Sequence, residues 1–121
     1  MRKRILVVED TEDNRQIIRD LLTSAGYEMI EAVDGGEGVA KAGKLKPDLI
    51  LMDMQLPVLD GYEATRRIKS DPALAHIPVI AVTSYALAGD EAKTKAAGCN
   101  AYVAKPFSPR ELLTKVREFL G

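Results

Sequence analysis

Apolar residues along the chain gather into five short runs, most of them rich in β-branched side chains: residues 5–8, a weaker run around 28–33, then 49–52, 79–82 and 101–104. The first, third and fourth are continuous rather than alternating, the pattern a strand needs when both faces of its sheet are covered. Between the runs lie stretches whose apolar positions repeat at helical spacing, such as Ile17, Ile18, Leu21 and Leu22. Five alternations of strand-sized and helix-sized segments predict an α/β domain with parallel strands and right-handed helical crossovers.

Helix ends carry their own punctuation. Asp13 and Gln16 stand at capping-box spacing and predict the start of the first helix, which Gly26 ends. Asp60 and Glu63 repeat that signal ahead of residues 64–68. Ser108, Pro109 and Glu111 supply an N-cap, an N1 proline and a capping-box acid before Leu112, Leu113, Val116, Phe119 and Leu120. The second helix, residues 36–45, is weakened by Gly36, Gly38 and Gly43. The fourth, residues 88–97, is alanine-rich with Gly89 near its start, which predicts a helix held by few contacts. Five βα units use up residues 1–121 as one domain. The economical assembly is a doubly wound, five-stranded parallel sheet in the order 2-1-3-4-5, the flavodoxin-like (βα)5 arrangement.

Charge and composition add exclusions. With 17 basic and 18 acidic side chains the net charge is −1, so no global positive field favours nucleic acid or anionic lipid, and no helix-turn-helix or basic stripe is left over. Met1-Arg2-Lys3-Arg4 mimics the basic flank of a signal peptide, but Glu9 cuts the next apolar run below the roughly seven residues that export requires. No membrane span is encoded, and the single cysteine, Cys99, cannot form an intramolecular disulfide, so a cytoplasmic location is expected. Cys99 reads as a small packing residue, and His76, the single histidine, as a loop surface residue.

In a parallel sheet all strands end at one edge, so the residues just after each apolar run converge. Here they are Glu9 and Asp10, Asp53, Thr83 and Ser84, and Lys105 with Pro106. The switch point between strands 1 and 3 sets Asp10 and Asp53 side by side with Glu9 close by. Three packed carboxylates repel one another unless a cation binds them, and hard oxygen donors open to solvent suit Mg2+ completed by a phosphate. Lys105 and Thr83, facing them across a gap, can stabilise the equatorial oxygens of a phosphoryl group in transfer. No glycine-rich phosphate cradle follows the first run, where Glu9-Asp10-Thr11-Glu12-Asp13 would repel a nucleotide. Residues 38–45 have P-loop spacing, but Leu45 stands where a Mg2+-binding hydroxyl is required, and the stretch reads as helix. The acceptor is therefore expected inside the site, with Asp53 the candidate.

Together Val8-Glu9-Asp10, Leu51-Met52-Asp53-Met54-Gln55-Leu56-Pro57, Asp60-Gly61, Val82-Thr83-Ser84 and Ala104-Lys105-Pro106-Phe107 resemble the signature set of two-component response-regulator receiver domains, the CheY-like superfamily. The resemblance covers essentially the whole chain. A finer similarity, through His76-Ile77-Pro78-Val79-Ile80-Ala81-Val82-Thr83, is to single-domain receivers, whose output passes through a partner.

The resemblance implies Asp53 as phosphoacceptor, with Mg2+ held by Asp10 and Asp53, by the backbone carbonyl of Gln55, and by Glu9 through water. Lys105 would pair with Asp53 at rest and with the phosphoryl group afterwards, Thr83 would move to hydrogen-bond that group, and Tyr102 would turn inward in response. Lys105-Pro106 would be a cis peptide. Gln55 and Tyr85, two residues beyond the acceptor and the threonine, would shape the path of the hydrolytic water, Tyr85 by shielding the phosphoryl group. The implied donor is a histidine kinase or histidine phosphotransfer protein. The output would be a downstream protein target on the face of the fourth helix, fifth strand and fifth helix, with the chain a monomer or a phosphorylation-linked dimer. Such a chain assists its own phosphorylation and dephosphorylation without being an enzyme for an external substrate.

Two other classes stay open. A non-catalytic pseudo-receiver would be marked by loss of Asp53, Asp10 or Lys105, all of which are present. A small metal-dependent phosphatase would turn over free phosphoesters, although the haloacid-dehalogenase type needs a second acid where Gln55 stands.

Overall fold

The computed structural model describes residues 2–84 and 90–121. Five strands, β1 (Arg4–Val8), β2 (Glu28–Ala32), β3 (Leu49–Asp53), β4 (Val79–Thr83) and β5 (Ala101–Ala104), alternate with five helices. The helices are α1 (Glu12–Ser24), α2 (Gly35–Leu45), α3 (Gly61–Ser70), α4 (Asp90–Ala97) and α5 (Pro109–Leu120). Every strand pairing is parallel, and the order is β2-β1-β3-β4-β5, the doubly wound arrangement the pattern predicts.

The continuous apolar runs have a direct cause in this layering. Successive strand residues point to opposite faces. Leu6, Val8, Ile50, Met52, Val79 and Ala81 meet Ala42, Ala64, Ile68 and Ala97 of α2, α3 and α4. Ile5, Val7, Leu49, Leu51, Ile80 and Val103 meet Ile18 and Leu22 of α1 and Leu112 and Val116 of α5. The edge strand β2 is buried fully only at Ala32, which explains its weaker sequence signal.

Two predicted caps form as read: Asp60 accepts the Glu63 N–H at 2.9 Å, and Ser108 accepts the Glu111 N–H at 3.0 Å. The second helix has a cap its glycines hide in sequence, for Asp34 accepts the Glu37 N–H at 2.8 Å while Glu37 accepts the Val33 N–H at 2.7 Å. The Asp13 and Gln16 capping box does not form. The extended N-cap of α1 is Thr11, so Asp13 falls inside the first turn beside Glu12, where both acids favour the helix dipole. Gln16 instead donates to Asp20 and accepts from Arg19. The start of α1 is set by the end of β1: the Thr11 N–H is bound to Glu9 Oε2 at 3.0 Å, which commits the chain to turn there.

The P-loop-like stretch lies within α2, as helix. The beginning of the fourth helix expected at Ala88 and Gly89 lies outside the described residues. Cys99 packs half-buried against the α2/α3/α4 core, and His76 is exposed.

Residues 54–60, which leave β3, are clamped. A Cβ on Gly61 would stand 2.2 Å from the Asp53 carbonyl oxygen, and one on Gly35 would stand 1.9 Å from that of Leu59. Within this connection the Leu59 N–H donates to the Pro57 carbonyl at 2.7 Å, and Val58 at the turn's centre takes a left-handed φ of 69°, a strained value for a β-branched residue.

Candidate functional site

Backbone hydrogen bonds continue one residue past the strands and fix where each candidate side chain emerges. The Glu9 N–H donates to Ala32 O at 3.0 Å, the Met54 N–H to Val82 O at 3.0 Å, and the Lys105 N–H to Thr83 O at 2.7 Å. The carboxyl ends of β1, β3, β4 and β5 thereby open on one crevice, at the point where strand order reverses.

Glu9 and Asp53 are each 2% exposed, whereas Asp10 faces solvent. One carboxylate oxygen from each of the three lies within 4.8 Å of the others. Lys105 Nζ sits 2.8 Å from Asp53 Oδ2 and 3.1 Å from Glu9 Oε1. The other two oxygens of the buried acids take backbone donors: Gln55 N–H reaches Asp53 Oδ1 at 3.0 Å, and Thr11 N–H reaches Glu9 Oε2. The peptide bond from Lys105 to Pro106 is cis.

Burial dominates at Asp53 and raises its pKa to about 6, with the Glu9 charge pushing the same way and Lys105 and the Gln55 N–H pulling against them. Burial also pushes Glu9 up, but the Thr11 N–H and Lys105 outweigh it and leave the group below the usual carboxylate range. At Lys105 burial would favour the neutral amine, and the two carboxylates overcome it, raising the pKa. One lysine thus serves two buried acids with a third acid beside them. That excess of negative charge, offered through hard oxygen atoms, fits a divalent cation.

Gln55 does more than its backbone suggests. Its Nε2 donates to Thr83 Oγ1 at 3.2 Å, and its Oε1 accepts the Ser84 N–H at 3.0 Å. Sequence reasoning also passed over Arg15, a nearly buried α1 side chain that donates to the Glu9 carbonyl at 2.8 Å and to Glu31 at 3.2 Å, and so steadies the backbone ahead of Asp10. An arginine at an inward-facing position one turn into the helix after the acidic pair was the available signal.

Glu9, Asp10, Asp53, Gln55, Thr83 and Lys105 therefore converge. Tyr102 stands apart, half-buried in β5, with its hydroxyl 3.4 Å from Glu91 of α4. Tyr85 lies outside the described residues. An open cleft beside Lys105 is lined by Asn14, Ile17, Ser84, Pro106 and Phe107. Among the described residues no helix is long and apolar enough to cross a membrane.

Residues 5–117 match the response regulator receiver domain family. The polar-differentiation response regulators DivK of Brucella anthropi and Brucella ovis are each 45% identical over 121 residues, covering 100% of this chain and 98% of theirs. Among solved structures, the receiver domain of the sensor histidine kinase PA1611 of Pseudomonas aeruginosa PAO1 superposes with a TM-score of 0.93 at 41% identity, covering 100% of this chain and 99% of that one. That structure has a magnesium ion coordinated in its active site cleft. The chemotaxis response regulator CheY4 of Vibrio cholerae gives a TM-score of 0.93 at 30% identity, covering 98% and 99%. With a family model matched over nearly its whole length and full-length relatives at 45% identity, the chain belongs to the response-regulator receiver domain family of two-component signalling.

Proposed function

We propose that this receiver accepts a phosphoryl group on Asp53 from the phosphohistidine of a histidine kinase or histidine phosphotransfer protein, and later returns it to water. The observation that carries the reading is Asp53 itself, a buried acid at a strand end that keeps Lys105 at 2.8 Å and two further acids within 4.8 Å. A carboxylate serving only the fold has no use for that company.

Asp10, Asp53 and the Gln55 carbonyl would hold Mg2+ directly. Glu9 has one oxygen on Thr11 and the other on Lys105, which suits a water-mediated role. Bound Mg2+ supplies positive charge against the phosphoryl oxygens and lets a negatively charged donor approach the acids. A carboxylate oxygen of Asp53 attacks phosphorus, an O–P bond forms, and the P–N bond breaks with its electron pair going to the donor imidazole. Lys105 then turns from the carboxylate to a phosphoryl oxygen, and Thr83 contributes its hydroxyl to another. Hydrolysis reverses the state, as water attacks phosphorus, inorganic phosphate leaves and the Asp53 carboxylate is regenerated. Tyr85, two positions beyond Thr83 in sequence, would slow that step if it shields the phosphoryl group as the family resemblance implies.

Output runs through the face made by α4, β5 and α5, where Tyr102 already touches Glu91, to a downstream protein in the cytoplasm. The test is incubation with Mg2+ and a small acyl phosphate, followed by intact-mass measurement. Wild type is expected to gain one acid-stable, base-labile phosphoryl group and Asp53→Asn none. No gain by wild type, or an equal gain by the variant, overturns the reading.

A further inference from the structure

The side chain of Gln55 ties two loops together. It binds the Thr83 hydroxyl through its NH2 group at 3.2 Å and the Ser84 N–H through its carbonyl at 3.0 Å, so it grips both a side chain and the backbone where β4 ends. The anchor behind it is firm. Gln55's own N–H is bound to Asp53 Oδ1 at 3.0 Å, and the connection it belongs to is wedged between Gly35 and Gly61. A tie between a fixed loop and a strand end constrains the strand end.

From this geometry we infer that the Gln55 side chain is a latch on the resting conformation, which phosphorylation of Asp53 must open before Thr83 can engage the phosphoryl group. The inference rests on the phosphoacceptor reading of Asp53. A Thr83 hydroxyl drawn toward oxygens newly attached at Asp53 leaves Gln55 Nε2. Ser84 is its covalent neighbour, so the same displacement pulls the Ser84 N–H off Gln55 Oε1. Two hydrogen bonds present at rest then oppose activation, and a variant without them reaches the activated state more readily. Gln55 divides its labour: its backbone serves the cation and its side chain sets how far the resting state is favoured. Side-chain substitutions separate the two.

Gln55→Met keeps the length without the polar groups, and Gln55→Ala removes the side chain outright. Three quantities are measured by titration and NMR: Mg2+ affinity, beryllofluoride affinity at saturating Mg2+, and exchange of the Ser84 amide proton with water. In both variants Ser84 exchange is expected to quicken and beryllofluoride binding at saturating Mg2+ to tighten about three- to thirtyfold. Beryllofluoride affinity that is unchanged or weaker in both variants overturns the latch, whatever Ser84 does. A wild type that binds Mg2+ but no beryllofluoride overturns the phosphoacceptor reading itself, and the latch with it.

Discussion

Two lysines stand at opposite edges of the same sheet, both partly buried, and their surroundings push them in opposite directions. Lys105, beyond the carboxyl end of β5, lies between two carboxylates that outweigh burial and raise its pKa. Lys69, in the last turn of α3, donates to the carbonyls of Ala75 at 3.2 Å and Ile77 at 2.6 Å and to Asn100 Oδ1 at 3.1 Å. Those neutral oxygens satisfy its protons without balancing its charge, so burial prevails and lowers its pKa. Asn100 Oδ1 also accepts the Val79 N–H at 2.9 Å, so Lys69 gathers the starts of β4 and β5 into one hydrogen-bonded knot. The amino edge is finished by the fold alone. The carboxyl edge carries more acid than Lys105 balances, an arrangement that fits a divalent cation.

The contrast breaks most easily at Lys105. Lys105→Met leaves two buried acids without their counter-ion and is expected to cost about 3 kcal/mol of stability near neutral pH. In urea titrations, saturating Mg2+ is expected to restore more stability to this variant than it adds to wild type. If Mg2+ restores nothing, charge balance is not what Lys105 provides. Lys69→Met, which strands neutral acceptors only, is expected to cost about 1–2 kcal/mol, an amount insensitive to Mg2+. Phosphoryl gain from acyl phosphate should match wild type in that variant, and a deficit would mean the amino edge reaches into the site.

The smallest effect concerns Asp53 in the metal-free protein. Its folded pKa of about 6 lies above the ordinary 3.8, so across that interval the folded protein keeps a proton that the unfolded chain has released. Stability therefore falls as pH rises from about 4 through about 6 and levels off above. Asp53→Asn removes that slope, while Lys105 keeps its ion pair with Glu9 at 3.1 Å. The variant should gain nothing at the acid end and on the order of 1 kcal/mol above pH ~7. Denaturation followed across this pH range reads the sign, and a variant less stable than wild type above pH ~7 would mean that Lys105 outweighs burial at Asp53.

Much of this was legible in sequence because buried parallel strands must be continuously apolar and their ends must converge. Leu49 to Asp53 announces both strand and site in five letters. Legibility failed where one element's start is decided by another's end: the spacing of Asp13 and Gln16 is correct for a cap, but the Thr11 N–H bound to Glu9 moves the helix start. It failed again for long polar side chains. Nothing local distinguishes the Gln55 side chain from a solvated glutamine, because its partners Thr83 and Ser84 lie 28 and 29 positions away, and the Asn100 end of the Lys69 knot lies 31 positions from that lysine. Arg15 differs: its inward-facing place one turn into α1 was a readable signal, although its grip on Glu9 forms only once α1 packs on the sheet.

The wedge formed by Gly35 and Gly61 bears on how damage to this protein reads from outside. Neither residue has a reactive atom, yet an added methyl at either would drive into a carbonyl oxygen, and the loop carrying Gln55 would move off the Asp53 strand end. To a genetic screen that scores only lost signalling, alanine at 35 or 61 looks the same as a lost carboxylate. Mutational intolerance therefore maps the site together with the hardware that aims it, and only a direct assay of cation binding or phosphoryl gain tells the two apart.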